Sequence, residues 1–236
     1  MPATHGVVAP FGGGLKESLH GPTASAGGVA HTLNLRLHAD DLAYIVNHAE
    51  DRFLSVDDVL LPLYEKFKDR VKIERVLVVP LEGKPLPAGT ESYEDFLAQA
   101  TGEFAYPALE ENEAAAMCYT SGTTGQPKGV VYSHRALVLH SFGVALADCF
   151  GMAHRDTILA VVPMFHANAW GLPFAAAMIG TKLVLPGPHL DAESLLELFE
   201  RERVTSAAGV PTVWLGILDA LEKNPGRWKL YPELRM

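Results

Sequence analysis

Basic charge is scarce in this sequence. Its 19 lysines and arginines face 28 aspartates and glutamates, a formal charge of −9 over 236 residues, and no basic cluster interrupts that balance. A nucleic-acid partner, which is bound through concentrated Lys and Arg, is therefore excluded. Cysteine is nearly absent. Cys118 and Cys149 form no disulfide framework and no metal spacing, and the 10 histidines fall into no His-Glu-x-x-His pattern, so a structural transition-metal site is not expected. Such sparse cysteines suit a reducing, cytoplasmic setting. No charged segment followed by an apolar one opens the sequence, so no secretory leader is read there. One stretch without charge, residues 157–181, is long enough to span a bilayer. Pro163, His166, Asn168, Gly171 and Pro173 interrupt it, and each would need separate satisfaction in lipid. A buried strand, a turn and a packed helix are expected there instead, and no transmembrane segment.

What is present is the material of a globular α/β protein. Hydrophobic residues make up 48% of the chain, an ordinary share for a packed core. Short apolar runs at 76–79, 115–119, 157–162, 182–185 and 205–210 predict strands. Helical patterns fall between several of them, at 39–48, 56–67, 134–149, 172–179 and 192–202. Strands alternating with helices imply parallel-rich sheets flanked by helices. Asp191 is placed to cap the last of these helices, where Leu195, Leu196 and Phe199 share a stripe. Residues 82–90 read as a surface loop, and no internal repeat is evident.

The most specific segment is YTSGTTGQPKGVVYSH, from Tyr119 to His134. A hydrophobic lead-in breaks into Thr120, Ser121, Gly122, Thr123, Thr124 and Gly125, then Lys128 follows and a second apolar run begins. Gly122 and Gly125 lack the side chains that would keep the backbone away from an anion, so amides and hydroxyls can surround one. Lys128 adds a mobile positive charge, and the combination favours polyphosphate. The pattern differs from the NTPase P-loop, in which Gly precedes Lys and a helix follows at once. Here strand, loop, strand and then helix are expected. Ser133 is the candidate N-cap, and Leu137, Leu139, Phe142, Leu146 and Cys149 are candidates for the apolar helix faces.

On these residues the chain resembles the adenylate-forming superfamily: acyl-CoA synthetases, luciferases and the adenylation domains of peptide synthetases. VVPMFHANAWGLPFA, from Val161 to Ala175, is similar to the aromatic-gate motif of medium- and long-chain fatty acyl-CoA synthetases. HTLNLRLHADDLAYIVNHAEDRFL, LPGPHLDAESLLELFERERVT and GVPTVWLGILDALE read like the same subfamily. The resemblance covers residues 27–236, expected to be part of an AMP-binding (adenylation) domain. Residues 1–26 do not match and, being rich in Gly and Pro, are expected to be an aberrant or loop-like segment. A family member would continue past Met236 into a glutamate that binds magnesium, a ribose-binding aspartate, a hinge and a C-terminal lid carrying the adenylation lysine. None of these follows here, so the chain reads as a fragment of the large N-terminal domain.

The resemblance implies an ATP-dependent fatty acid–CoA ligase. A carboxylate oxygen attacks the α-phosphorus of ATP to give acyl-AMP and pyrophosphate, and the CoA thiol then displaces AMP. By the same resemblance, Thr120 to Gly125 cradle the outer phosphates and Lys128 balances their charge, while Thr120 reaches Mg²⁺. His166 orients the acid carboxylate, Ala167 lines the adenine or acyl path through its backbone, and Trp170 gates the acyl tunnel. Fatty or other small carboxylic acids, ATP and CoA are the implied partners. Related enzymes dimerise, and uncovered sheet edges would favour self-association. Two other readings stay open: a non-catalytic nucleotide-binding remnant, and a serine hydrolase. For the hydrolase, the nearest approach to Gly-x-Ser-x-Gly is Leu139-His140-Ser141-Phe142-Gly143, which lacks the first glycine and lies in a helical pattern.

Overall fold

The computed structural model describes residues 4–9, 22–100, 102–120, 125–232 and 234–235. They fall into two compact units, residues 1–136 and 137–236. Among the described residues, no helix is long and apolar enough to cross a membrane.

The first unit is built on a seven-stranded sheet. Its strands are β1 (Thr4–Ala9), β2 (Gly28–Thr32), β3 (Phe53–Asp57), β4 (Arg75–Val79), β5 (Glu91–Ser92), β6 (Ala114–Thr120) and β7 (Lys128–Ser133), in the order β5-β4-β3-β1-β2-β6-β7. Every neighbouring pair is parallel except β6 and β7, which form an antiparallel hairpin. The helix Ala39–His48 covers the sheet with Leu42, Ile45 and Val46, which pack with Leu54, Val56, Val76 and Val78. Asp40 and Asp41 stand in its first turn, where a helix dipole favours negative charge.

Two expectations fail in this unit. Residues 56–67 are not one helix: β3 takes residues up to Asp57, a 3₁₀ turn spans Asp58–Leu60, and only Leu61–Tyr64 is α-helical. Asp58 sets the break. It is fully buried, and its carboxylate accepts the backbone N–H groups of Glu82 (2.9 Å) and Lys84 (3.1 Å). Burial opposes its charge, but these amides outweigh that and hold its pKa below the usual carboxylate value. Pro62 then starts the short helix, where a missing N–H costs nothing. The second failure is Thr4–Ala9, expected as loop and found as a strand paired parallel with both β2 and β3.

The second unit has a three-stranded parallel sheet, β8 (Thr157–Ala160) between β10 (Ser206–Ala208) and β9 (Lys182–Val184). Side chains alternate across it. Ile158 and Ala160 pack with the helix Leu172–Ile179, whereas Leu159 joins Leu195, Leu196 and Phe199 of the helix Ala192–Glu202. A strand buried on both faces must be apolar throughout, which is why β8 reads as an unbroken run. Asp191 caps Ala192–Glu202 as expected, accepting the Ser194 N–H at 2.9 Å. The helix Pro211–Lys223 completes this layer through Ile217 and Ala220.

The division between the units falls within the helix His134–Ala145. Ser133 is its N-cap, accepting the Ala136 N–H at 3.1 Å. The expected apolar face is displaced. Leu139, Phe142 and Leu146 are more than half exposed, and the buried positions are Ser141 and Val144.

Candidate functional site

The hairpin β6–β7 carries the candidate phosphate loop. Its last rung pairs Thr120 with Lys128, and the rung before pairs Tyr119 with Gly129. Both Thr120 and Lys128 are exposed, and the Thr120 hydroxyl points across the rung to the Lys128 carbonyl at 3.5 Å. Gly125 has φ +133, with open space where a Cβ would stand, so its bare backbone suits the close approach of an anion. Ser121, Gly122, Thr123 and Thr124, named from the sequence as phosphate contacts, lie outside the described residues. Among the described residues, Lys128 joins no ion pair and its ammonium is available to a ligand. Mg²⁺ bound with phosphate keeps several waters and takes few protein ligands. The Thr120 hydroxyl is an exposed oxygen of the kind such a position takes, and no group of three or more His, Cys, Asp or Glu side chains that could hold a metal ion is found among the described residues.

Sequence reasoning missed what holds the base of this hairpin. The Tyr119 ring lies against Gly129, where a Cβ would come within 3.1 Å of it. Its hydroxyl makes a 2.7 Å hydrogen bond with His48 Nδ1. Its ring also stands 5.2 Å from that of His31, a fully buried residue of β2. His31 Nδ1 in turn meets the buried Asp51 carboxylate at 2.9 Å.

In the second unit, His166, Ala167 and Trp170 are consecutive parts of one turn. β8 ends at Ala160, and the chain then folds into the single-turn helix Ala167–Trp170, closed by Gly171. This turn is left-handed. Ala167, Asn168, Ala169 and Trp170 have φ of 46, 49, 51 and 56, and Gly171 has φ 67. Left-handed helical backbone costs about 1–2 kcal/mol for each residue with a Cβ, so this strain has to be held by its surroundings. Asn168 and Ala169 are buried. His140 Nε2 lies 2.8 Å from the Trp170 carbonyl oxygen, and its ring is so close to Gly171 that a Cβ there would fall 2.4 Å from Cδ2. His166 is exposed at the entry of the turn, and Trp170 is half-buried. Strain of this kind marks sites where the neighbourhood dictates a geometry that the backbone would not choose.

The serine-hydrolase alternative finds no geometry to support it. Ser141 is 2% exposed, inside a helix, and its hydroxyl donates to the Leu137 carbonyl at 2.8 Å. A nucleophile elbow requires the opposite, an exposed hydroxyl on a sharp strand-to-helix turn.

The sequence profile of AMP-binding enzymes matches residues 22–236, and the chain belongs to that family. A 3-methylmercaptopropionyl-CoA ligase of Ruegeria pomeroyi is 50% identical over 83% of this chain and 37% of its own length. A long-chain-fatty-acid–CoA ligase of Thermus thermophilus is 52% identical over 86% of this chain and 37% of its own. A medium-chain-fatty-acid–CoA ligase of Ectopseudomonas oleovorans is 47% identical over 85% and 38%. The chain thus spans little more than a third of the curated relatives it matches. Among solved structures, the long-chain-fatty-acid-CoA ligase FadD1 of Archaeoglobus fulgidus superposes with a TM-score of 0.83 over 98% of this chain and 44% of its own, at 24% identity. That likeness gives the fold alone.

Proposed function

We propose that this chain provides the phosphate-binding and acid-binding elements of an ATP-dependent, AMP-forming acid–CoA ligase acting on a fatty or related carboxylic acid. The observation that carries the reading is the β6–β7 hairpin, whose exposed Thr120–Lys128 rung closes a loop of glycines and hydroxyls. Negative charge grows on the phosphates as the carboxylate attacks, so what the protein supplies is position and neutralisation. Lys128 neutralises the outer phosphates, and Thr120 Oγ1 would hold Mg²⁺, which would supply further positive charge against the negative charge growing there. In the second unit, His166 orients the acid carboxylate, the Ala167 backbone lines the path, and Trp170 gates the acyl tunnel. CoA is the acyl acceptor through its thiol, and the cytoplasm, where Cys118 and Cys149 stay reduced, is the expected location.

The reading is tested by supplying Mg-ATP with acids of graded length, with and without CoA, and following pyrophosphate, AMP and thioester. CoA-dependent AMP and thioester release supports it. Mg-ATP binding with no pyrophosphate from any acid would favour the second reading, a nucleotide-binding element without turnover.

Two outcomes bear on the residues. Lys128→Ala weakens Mg-ATP binding in calorimetric titration by about tenfold, since a charge-assisted contact to phosphate contributes roughly 1.5–3 kcal/mol before screening by solvent at an exposed site. Unchanged affinity removes the role given to Lys128. Tryptophan emission changes on adding ATP or a medium-chain acid, and Trp170→Phe abolishes most of that change. A response left intact in Trp170→Phe, and so carried by Trp214 and Trp228, refutes the gate assignment.

A further inference from the structure

Tyr119 immediately precedes the phosphate loop, and side chains distant in sequence meet on it. His48, at the end of the helix Ala39–His48, reaches its hydroxyl at 2.7 Å, with the two rings edge to face at 5.9 Å. His31 of β2 faces its ring at 5.2 Å and is itself held by Asp51. Gly129, its partner across the hairpin, has no side chain and leaves space for the ring. Burial, then the charge of Asp51 and the neighbouring Tyr44, pushes the Tyr119 hydroxyl up to about 12. It therefore keeps its proton at neutral pH and remains able to donate.

A hairpin loop inherits its position from the rungs beneath it. The rung under Thr120 and Lys128 is fixed by ordinary ladder bonds and, through Tyr119, by contacts to a neighbouring helix and to β2. We propose that Tyr119 is a positioning residue for the phosphate loop: locked by His48 and seated on His31, it sets the direction in which Thr120 and Lys128 leave the sheet. This inference rests on the phosphate-binding reading of the loop. It adds Tyr119, His48 and His31 to the residues on which phosphate affinity depends, though none of the three touches phosphate.

The test uses the 236-residue chain with magnesium pyrophosphate as probe, titrated calorimetrically, together with amide exchange at residues 125–130 in the absence of ligand. Tyr119→Phe keeps the ring and removes the hydroxyl. His48→Ala alters only an exposed helix end, so folding is not at risk. Each variant weakens pyrophosphate binding and speeds exchange by roughly two- to tenfold, the range for one lost hydrogen bond. The double variant is no worse than either single, because one contact is lost in all three. His48→Gln, which can still bond the hydroxyl, recovers most of the loss. Lowered thermal midpoints with unchanged affinity and exchange would mean a purely structural role and overturn the proposal, as would additive losses in the double variant. If Lys128→Ala leaves pyrophosphate affinity unchanged, it is the phosphate reading that fails. The exchange measurement still decides whether Tyr119 sets the hairpin.

Discussion

Gly171→Ala should destabilise the second unit by about 2–5 kcal/mol, but by only about 1–2 kcal/mol when it is made in a molecule already lacking the His140 ring. Two costs add at this position. Gly171 has φ 67, where a residue with a Cβ is strained by about 1–2 kcal/mol. The new methyl would also stand 2.4 Å from His140 Cδ2 and 2.7 Å from Nε2, and forced overpacking costs roughly 1–3 kcal/mol. His140 can swing aside only by giving up the bond of its Nε2 to the Trp170 carbonyl oxygen at 2.8 Å. His140→Ala alone loses that bond, about 0.5–1.5 kcal/mol, and the double variant keeps only the backbone strain in addition. Urea unfolding followed by tryptophan emission reads the effect cleanly, since Trp170, Trp214 and Trp228, the 3 tryptophans of the chain, all lie within residues 137–236. A cost of Gly171→Ala that is the same in the wild type and in the His140→Ala background would show that the ring is not what meets the methyl. In that event His140 is not the support of the left-handed turn.

That turn was beyond reach of the sequence, although its residues were not. Pro163, His166 and Gly171 mark an interruption in an apolar stretch, and the expected strand, turn and helix are found there. Nothing local, however, favours positive φ at Ala167, Asn168, Ala169 and Trp170 in succession. The conformation is imposed by burial of Asn168 and Ala169 and by His140 from another element. Tyr119 is a similar case. Its place before the loop is plain in the sequence, but its partners His31, His48 and Asp51 come together only when β2, β6 and the first helix pack.

Legibility followed local signals. The helices Ala39–His48, Leu172–Ile179 and Ala192–Glu202 were expected with the bounds observed, because caps, acidic first turns and stripes in the outer two, and Pro173 between Gly171 and Gly180 in the middle one, agree with the tertiary outcome. The hairpin was legible as strand, loop and strand from its change of composition. Residues 56–67 misled because Val56, Leu60, Leu63, Tyr64 and Phe67 repeat at helical spacing, and all five enter the same cluster from different elements. The helix Pro211–Lys223 was not read as one, with Gly216 inside it and no polar N-cap before Pro211. Leu139, Phe142 and Leu146, read among the apolar helix faces, are exposed, because periodicity identifies an apolar side without saying what covers it.

Replacing Asp156 should destabilise the same unit by about 2–4 kcal/mol as Asp156→Ala and by less as Asp156→Asn, with an effect that fades in acid. Asp156 is 6% exposed at the head of β8. Its carboxylate accepts the Ala153 N–H (2.9 Å) and the Thr205 hydroxyl (2.9 Å), and pairs with Arg235 at 2.9 Å. Thr205 Oγ1 in turn accepts the Thr157 N–H at 3.0 Å, so the carboxylate fastens the start of β8 to the chain entering β10. Alanine would leave the part-buried Ala153 N–H and Thr205 hydroxyl without their acceptor, at roughly 1–3 kcal/mol for each left unsatisfied. Asparagine keeps the shape but turns an NH₂ toward groups that themselves donate. Burial opposes the charge of Asp156, yet the Ala153 amide, Thr205 and Arg235 outweigh it and hold its pKa below the usual carboxylate value. A depressed folded pKa means the stabilisation is complete above the unfolded value of about 3.9 and is lost as pH falls through the lower folded one. The gap between wild type and Asp156→Asn should thus be constant from about pH 5 to 8 and shrink below about pH 4. A gap that widens in acid, or one that changes between pH 5 and 8, would show that the carboxylate is not bound as a charged acceptor at this joint.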